Sequence, residues 1–178
     1  MRSSVYGLLA WLAVSPALAD DTVQRLEAEL TAAPSATQFL TDKCAALHLA
    51  TPAVIKAARA QDQRPASAEV RKLLDVDADA VLGYRRVKLT CGAHVLSDAD
   101  NWYVPARLTP EMNHTLDTSD TSFGTVVKPL HFHRQSLKME AVDDPGHIFR
   151  VTALLIAEGG KPFSLVVENY SRELSAGH

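Results

Sequence analysis

Tyr84-Arg85-Arg86-Val87-Lys88-Leu89-Thr90-Cys91 is the stretch whose reading decides the fold. Val87, Leu89 and Cys91 alternate with Arg86, Lys88 and Thr90, which is the period of a strand with one buried face. Gly92-Ala93-His94 then turns the chain into a second strand, expected to break near Asp98-Ala99-Asp100 and to resume at Trp102-Tyr103-Val104. Thr109 and Pro110 supply the cap and first position of a short helix over 108–116. Further strands are expected at 134–142, 149–157 and 163–172, the last two joined by a turn at Gly159-Gly160-Lys161.

Upstream of Val81 the pattern is helical. Asp21-Thr22-Val23-Gln24 fits a capping box, and Val23, Leu26 and Leu30 follow at helical spacing up to Pro34. A second helix over 37–48 puts Phe39, Leu40, Cys44 and Leu47 on one stripe. Thr51-Pro52 reads as a cap and a first-turn proline, predicting a third helix through Ala60, and 67–74 reads as one more short turn. Helices first and neighbouring strands afterwards argue an α+β domain, an antiparallel sheet with flanking N-terminal helices.

The first 19 residues read as a secretory signal. Arg2 precedes an apolar run from Val5 to Val14, and Ala17 and Ala19 stand three and one before Asp20. The run falls short of the roughly 20 apolar residues of a membrane span. The expected organisation is therefore 1–19 signal peptide and 20–178 one domain, periplasmic or secreted, with no stable membrane span after cleavage. Beyond residue 19 the chain has 17 of its 18 basic residues against 21 acidic ones, a formal charge of −4, which argues against a nucleic-acid partner. A monomer is expected. Export would place Cys44 and Cys91 in an oxidising compartment. A disulfide and two buried thiols both fit the sequence, and the usual burial of free cysteine weighs towards thiols.

Three segments together resemble the chorismate lyase family. Arg86, four intervening residues and Cys91 match the strand that carries the family's substrate-carboxylate arginine, and Cys91 to Pro105 keeps the interval to a strand-ending proline. Thr121-Ser122-Phe123-Gly124 resembles its Thr-Pro-Leu-Gly turn. Gly160-Lys161-Pro162-Phe163 followed by Val166-Val167-Glu168 resembles the strand of its catalytic glutamate. The resemblance spans about 81–172 and implies a chorismate lyase-like fold that buries an aromatic carboxylate. It implies Arg86 as carboxylate anchor, with Arg85 in its place if the register slips by one. Phe123 would pack on the ligand ring, Gly124 would keep the backbone close, and Glu168 would be the general acid/base. A one-residue slip moves a side chain to the other face of a sheet, so the choice of arginine matters.

The family's reaction removes pyruvate from chorismate to leave 4-hydroxybenzoate. It gains aromaticity and needs no cofactor or metal. An arginine forks two hydrogen bonds onto a carboxylate, and a glutamate held protonated can serve the ether oxygen. Two functions follow from different classes. One is an exported carbon–oxygen lyase; the other is a non-catalytic binding protein for an aromatic or other small carboxylate, since the fold also serves ligand-sensing domains of transcription regulators. The family's substrate is a cytoplasmic intermediate, which counts against an exported lyase. An arginine and a glutamate on one sheet also pair for purely structural reasons. A competing metal site would use His131 and His133 on one face of an extended segment, with His147 or His114 as third ligand, but none has a diagnostic spacing.

Overall fold

A computed structural model describes residues 16–176. Residues 1–15, most of the expected export signal, lie outside the described residues, and the expected cleavage point after Ala19 falls within the first helix, α1 (Pro16–Ala32). Asp21 is therefore inside a helix rather than capping one. Val23, Leu26 and Leu30 are buried, as the helical spacing requires. Ser35 caps α2 (Ala36–Ala46), accepting from the Gln38 N–H, and Ala36, Phe39, Leu40 and Cys44 form its buried face.

The chain from Thr51 to Ala60 departs from expectation: Ile55–Arg59 is a strand, β1. Ile55 and Ala57 are buried while Lys56 and Ala58 face out, a period of two that the alanine-rich composition conceals. Pairing with the next strand, from Ile55 opposite Cys91 to Arg59 opposite Val87, overrides helix propensity, which differs among ordinary residues by less than about 1 kcal/mol each. The outer edge of β1 is covered, because the Ala57 N–H donates to the Asp120 carbonyl at 2.7 Å.

After a short helix, α3 (Ala68–Leu73), come β2 (Gly83–Cys91) and β3 (His94–Tyr103), joined at Gly92, whose φ of 57° favours glycine. The expected interruption at 98–100 does not occur: β3 is continuous and pairs on both sides. Thr109 caps α4 (Pro110–Thr118), with Pro110 at its start. One turn of helix, α5 (Phe123–Val126), leads to β4 (His133–Ala141), β5 (His147–Ile156) and β6 (Pro162–Ser171). The six strands form one antiparallel sheet in the order β1-β2-β3-β6-β5-β4.

Both faces of the sheet are covered. On the inner face Leu26, Leu30, Phe39 and Leu40 pack on Val87, Leu89, Ala99, Val151 and Ala153, each fully buried leucine stabilising by about 2 kcal/mol. Tyr170 anchors this layer, stacked on Phe149 at 4.5 Å between centroids and edge-on to Phe39 at 5.8 Å. On the outer face Leu74, beside α3, packs with Trp102, Leu154 and Leu165. Cys44 and Cys91 are fully buried and joined in a disulfide across a sequence separation of 47, which ties α2 to the end of β2. The weighting towards free thiols is thus corrected: the fold brings the Cα atoms to 6.3 Å, within bridging range, although nothing in the spacing announced it. Among the described residues no helix is long and apolar enough to cross a membrane.

Candidate functional site

Between the inner face and the start of α2 lies a cavity. Its floor is Arg85, Val87, Leu89, Ala99, Asn101, Val166, Glu168 and Leu155, and its walls are Ser35–Thr37, Phe123, Gly124, Phe132 and Arg134. It encloses about 50 Å³ in which the centre of a water-sized sphere can move. Ser35, Thr37, Gly124 and Phe132 also border a surface recess that adds Gln38, Lys128 and His131.

Strand parity decides which arginine belongs to this cavity. Arg85 pairs with Asn101 and Arg86 with Asp100, so neighbouring arginines face opposite sides of the sheet. Arg85 is 3% exposed and lies in the cavity. Arg86 does not: it lies on the outer face, 2.8 Å from Asp62 and 3.6 Å from Asp98, with 39% of its side chain exposed. The expectation of Arg86 as anchor is corrected on this geometry, since its partners are surface carboxylates on the far side from the cavity.

Arg85 is unusual in having nothing to bind. Its Nε and Nη2 are buried with no hydrogen-bond partner among the described residues. Burial lowers its pKa from the ordinary arginine value, and the neighbouring Arg59 lowers it further. Arg59 is itself held by the carbonyls of Leu116 and Asp117, both at 2.9 Å. Buried guanidinium groups are ordinarily paired, so an unpaired one in the lining of a cavity makes Arg85 the candidate for holding an anion there.

Glu168 also lines the cavity, but it is already engaged. Its Oε2 accepts from Arg134 Nη2 at 2.5 Å and from the Tyr170 hydroxyl at 2.9 Å. Burial pulls Arg134 down, yet the charge and hydrogen bond of Glu168 leave its pKa raised. Burial first, and Glu168 second, push the Tyr170 hydroxyl well above the usual phenol range. Oε2 is the acceptor in both contacts, so Glu168 is the partner of the buried Arg134 guanidinium. The lining holds two arginines and one glutamate, and that glutamate pairs with Arg134 rather than with Arg85.

Phe123 and Gly124 border the cavity as well. Phe123 lies 5.5 Å from Tyr103 and is stacked on Phe163 at 6.3 Å, giving one wall an aromatic surface. A Cβ at Gly124 would stand 2.7 Å from Thr37 Oγ1, so glycine allows the 123–132 segment to close on α2. Four expected site residues thus divide: Glu168, Phe123 and Gly124 come together, and Arg86 stays outside. Asn101 and Arg134 carried no motif and were missed. The proposed histidine arrangement does not form, because β4 starts only at His133 while His131 ends the preceding turn with φ 47°. Among the described residues no group of three or more His, Cys, Asp or Glu side chains could hold a metal ion.

The fold has solved counterparts. The effector domain of PhnF from Mycobacterium smegmatis superposes with a TM-score of 0.53 at 11% identity, covering 67% of this chain and 82% of that one. The ligand-binding domain of a proposed GntR-family transcriptional regulator from Bordetella bronchiseptica gives 0.53 at 17%, covering 67% and 86%. YydK of Bacillus subtilis, described as a possible transcriptional regulator, gives 0.50 at 13%, and the match spans 60% of its length. At these identities the likeness establishes the fold alone: an α+β antiparallel sheet of the chorismate lyase-like type found in GntR-family effector domains. No protein-family model matches the chain. In sequence it is 38% identical over 177 aligned residues to the uncharacterized protein y4mC of Sinorhizobium fredii, covering 85% of this chain and 74% of that protein. The chain belongs to the family of y4mC, built on a chorismate lyase-like fold.

Proposed function

We propose that this protein is an exported binding module for a small aromatic carboxylate, with Arg85 as the anchor. The observation that carries the reading is a guanidinium 3% exposed, without a partner for Nε or Nη2, in the lining of a cavity. A carboxylate supplies the charged acceptor that the guanidinium lacks. Phe123 and Phe132 offer the ring an apolar wall. The similarity of fold to domains described as ligand-binding supports the same reading. The basic and apolar N-terminal pattern, together with the buried Cys44–Cys91 disulfide, supports a periplasmic or secreted location. Engagement of Glu168 by Arg134 and Tyr170 favours binding over lyase chemistry.

The test is thermal unfolding with increasing 4-hydroxybenzoate, beside incubation with chorismate. A ligand at 100 times its Kd stabilises by about 2.7 kcal/mol, a Tm rise of roughly 5–11 °C for a chain of this size. The reading predicts that rise and no release of 4-hydroxybenzoate from chorismate. Turnover that disappears in Glu168→Gln would replace it with the lyase. Neither a rise nor turnover would contradict both.

A further inference from the structure

Asn101 faces the same cavity as Arg85, directly across the β2–β3 ladder, and is 4% exposed. Directly opposed residues on antiparallel strands hold their Cβ atoms about 5 Å apart, close enough to share one small anion. The Asn101 amide is not free to turn. Its Oδ1 accepts from the Ser164 hydroxyl at 2.6 Å, and Ser164 is fully buried on β6. Asn101 pairs with Val166, so Ser164 occupies the diagonal position on the same face. With one lone pair of its oxygen taken by Ser164, Asn101 still has its NH2, a donor, beside a guanidinium that has donors only.

We propose that Asn101, oriented by Ser164, is the second arm of the anion site: one carboxylate oxygen is taken by the Arg85 fork and the other by the Asn101 amide. This rests on the carboxylate-binding reading above. It adds a specificity: a guanidinium has donors only and carries a charge, so the cavity end distinguishes a carboxylate from the uncharged amide of the same shape. Ser164 is a positioning residue, since it acts through Asn101.

Asn101→Asp is the informative substitution. It places a built-in carboxylate beside Arg85 and so competes with any ligand. The inference predicts that Asn101→Asp raises Tm by about 3 °C or more, through pairing of a buried charge, and weakens benzoate binding at least 100-fold by calorimetry. A fall in Tm would mean that the Arg85 guanidinium is not within reach of position 101, and would overturn the inference whether or not benzoate binds. A second measurement isolates Ser164. Ser164→Ala should weaken benzoate about tenfold and shrink the preference for benzoate over benzamide, because the released amide can turn its oxygen to Arg85. In an Asn101→Ala background Ser164→Ala should change neither. An equal loss in both backgrounds would make Ser164 merely structural and refute its role. If benzoate fails to bind the unaltered protein while Asn101→Asp still raises Tm, the carboxylate-binding reading fails and the Arg85–Asn101 juxtaposition stands; if benzoate binds as tightly to Asn101→Asp as to the unaltered protein, the reading stands and the second arm fails.

Discussion

Replacing Arg85 with methionine should make the protein more stable and blind to its ligand. A structural arginine behaves in the opposite way, as Arg107 illustrates: it donates to the carbonyls of Leu74, Asp75 and Pro162, and its loss would orphan all three. Arg85 holds no carbonyl and no carboxylate among the described residues, and its Nε and Nη2 are dehydrated without compensation. An unsatisfied buried polar group costs about 1–3 kcal/mol, and more when charged. Methionine keeps an apolar stem of similar length on the buried face of β2 and removes that cost, so the expected gain is about 1–3 kcal/mol. For a chain of this size that is a Tm rise of roughly 2–12 °C. Urea denaturation at pH 7 measures it as a shift of midpoint at constant m value. Arg86→Met, which breaks only surface pairs with Asp62 and Asp98, should stay within about 1 kcal/mol of the unaltered protein. Loss of more than about 1 kcal/mol in Arg85→Met would refute the reasoning, because it would mean that Arg85 is paired by the protein and not reserved for a ligand.

Glu168→Gln should destabilise by about 3–5 kcal/mol, since Arg134 would be left buried and unpaired, and Arg134→Met in the same chain should recover most of the loss; a loss below about 1 kcal/mol measured by denaturant would count against the pair. Opening the Cys44–Cys91 disulfide, by a Cys44→Ala and Cys91→Ala double substitution, should cost about 4 kcal/mol for a closed loop of 47 residues, and a midpoint that does not move would contradict that. Burial first, then the hydrogen bond to Asp100, pushes the Tyr84 hydroxyl up to about 12. Between pH 10 and 12 the unfolded chain therefore gives up a proton that the folded chain keeps, so this contribution is complete below pH 10 and falls as pH rises to 12. After discounting for partial exposure it amounts to about 1 kcal/mol, which Tyr84→Phe should remove from the alkaline limb of a stability–pH curve.

Much of the fold was written in periodicity. Val87, Leu89 and Cys91 announced β2, and Thr109-Pro110 announced α4, because those signals are local. β1 was not legible, since five alanine-rich residues carry a strand pattern only when a partner strand supplies the hydrogen bonds. The disulfide was equally silent, because a 47-residue separation is closed by the packing of α2 on β2 and by nothing in the spacing. The site was half legible. Glu168, Phe123 and Gly124 came from a likeness of motifs and do share one cavity. The same likeness pointed to Arg86, although extending the Val87–Leu89–Cys91 alternation back by two residues puts Arg85 on the buried face. Local parity held where motif spacing did not. Asn101 was readable by the same rule, lying two residues before the buried Tyr103. Arg134 was not, because its role depends on Glu168 two strands away.

The central claim, that Arg85 anchors a small carboxylate, is tested most directly by isothermal titration of 4-hydroxybenzoate into the unaltered protein, Arg85→Ala and Arg86→Ala. The account predicts saturable binding with one ligand per chain, unchanged in Arg86→Ala and weakened at least 100-fold in Arg85→Ala, the loss expected when one partner of a buried charged pair is removed. Equal affinity in Arg85→Ala and Arg86→Ala, or no heat of binding in any of the three, would contradict it.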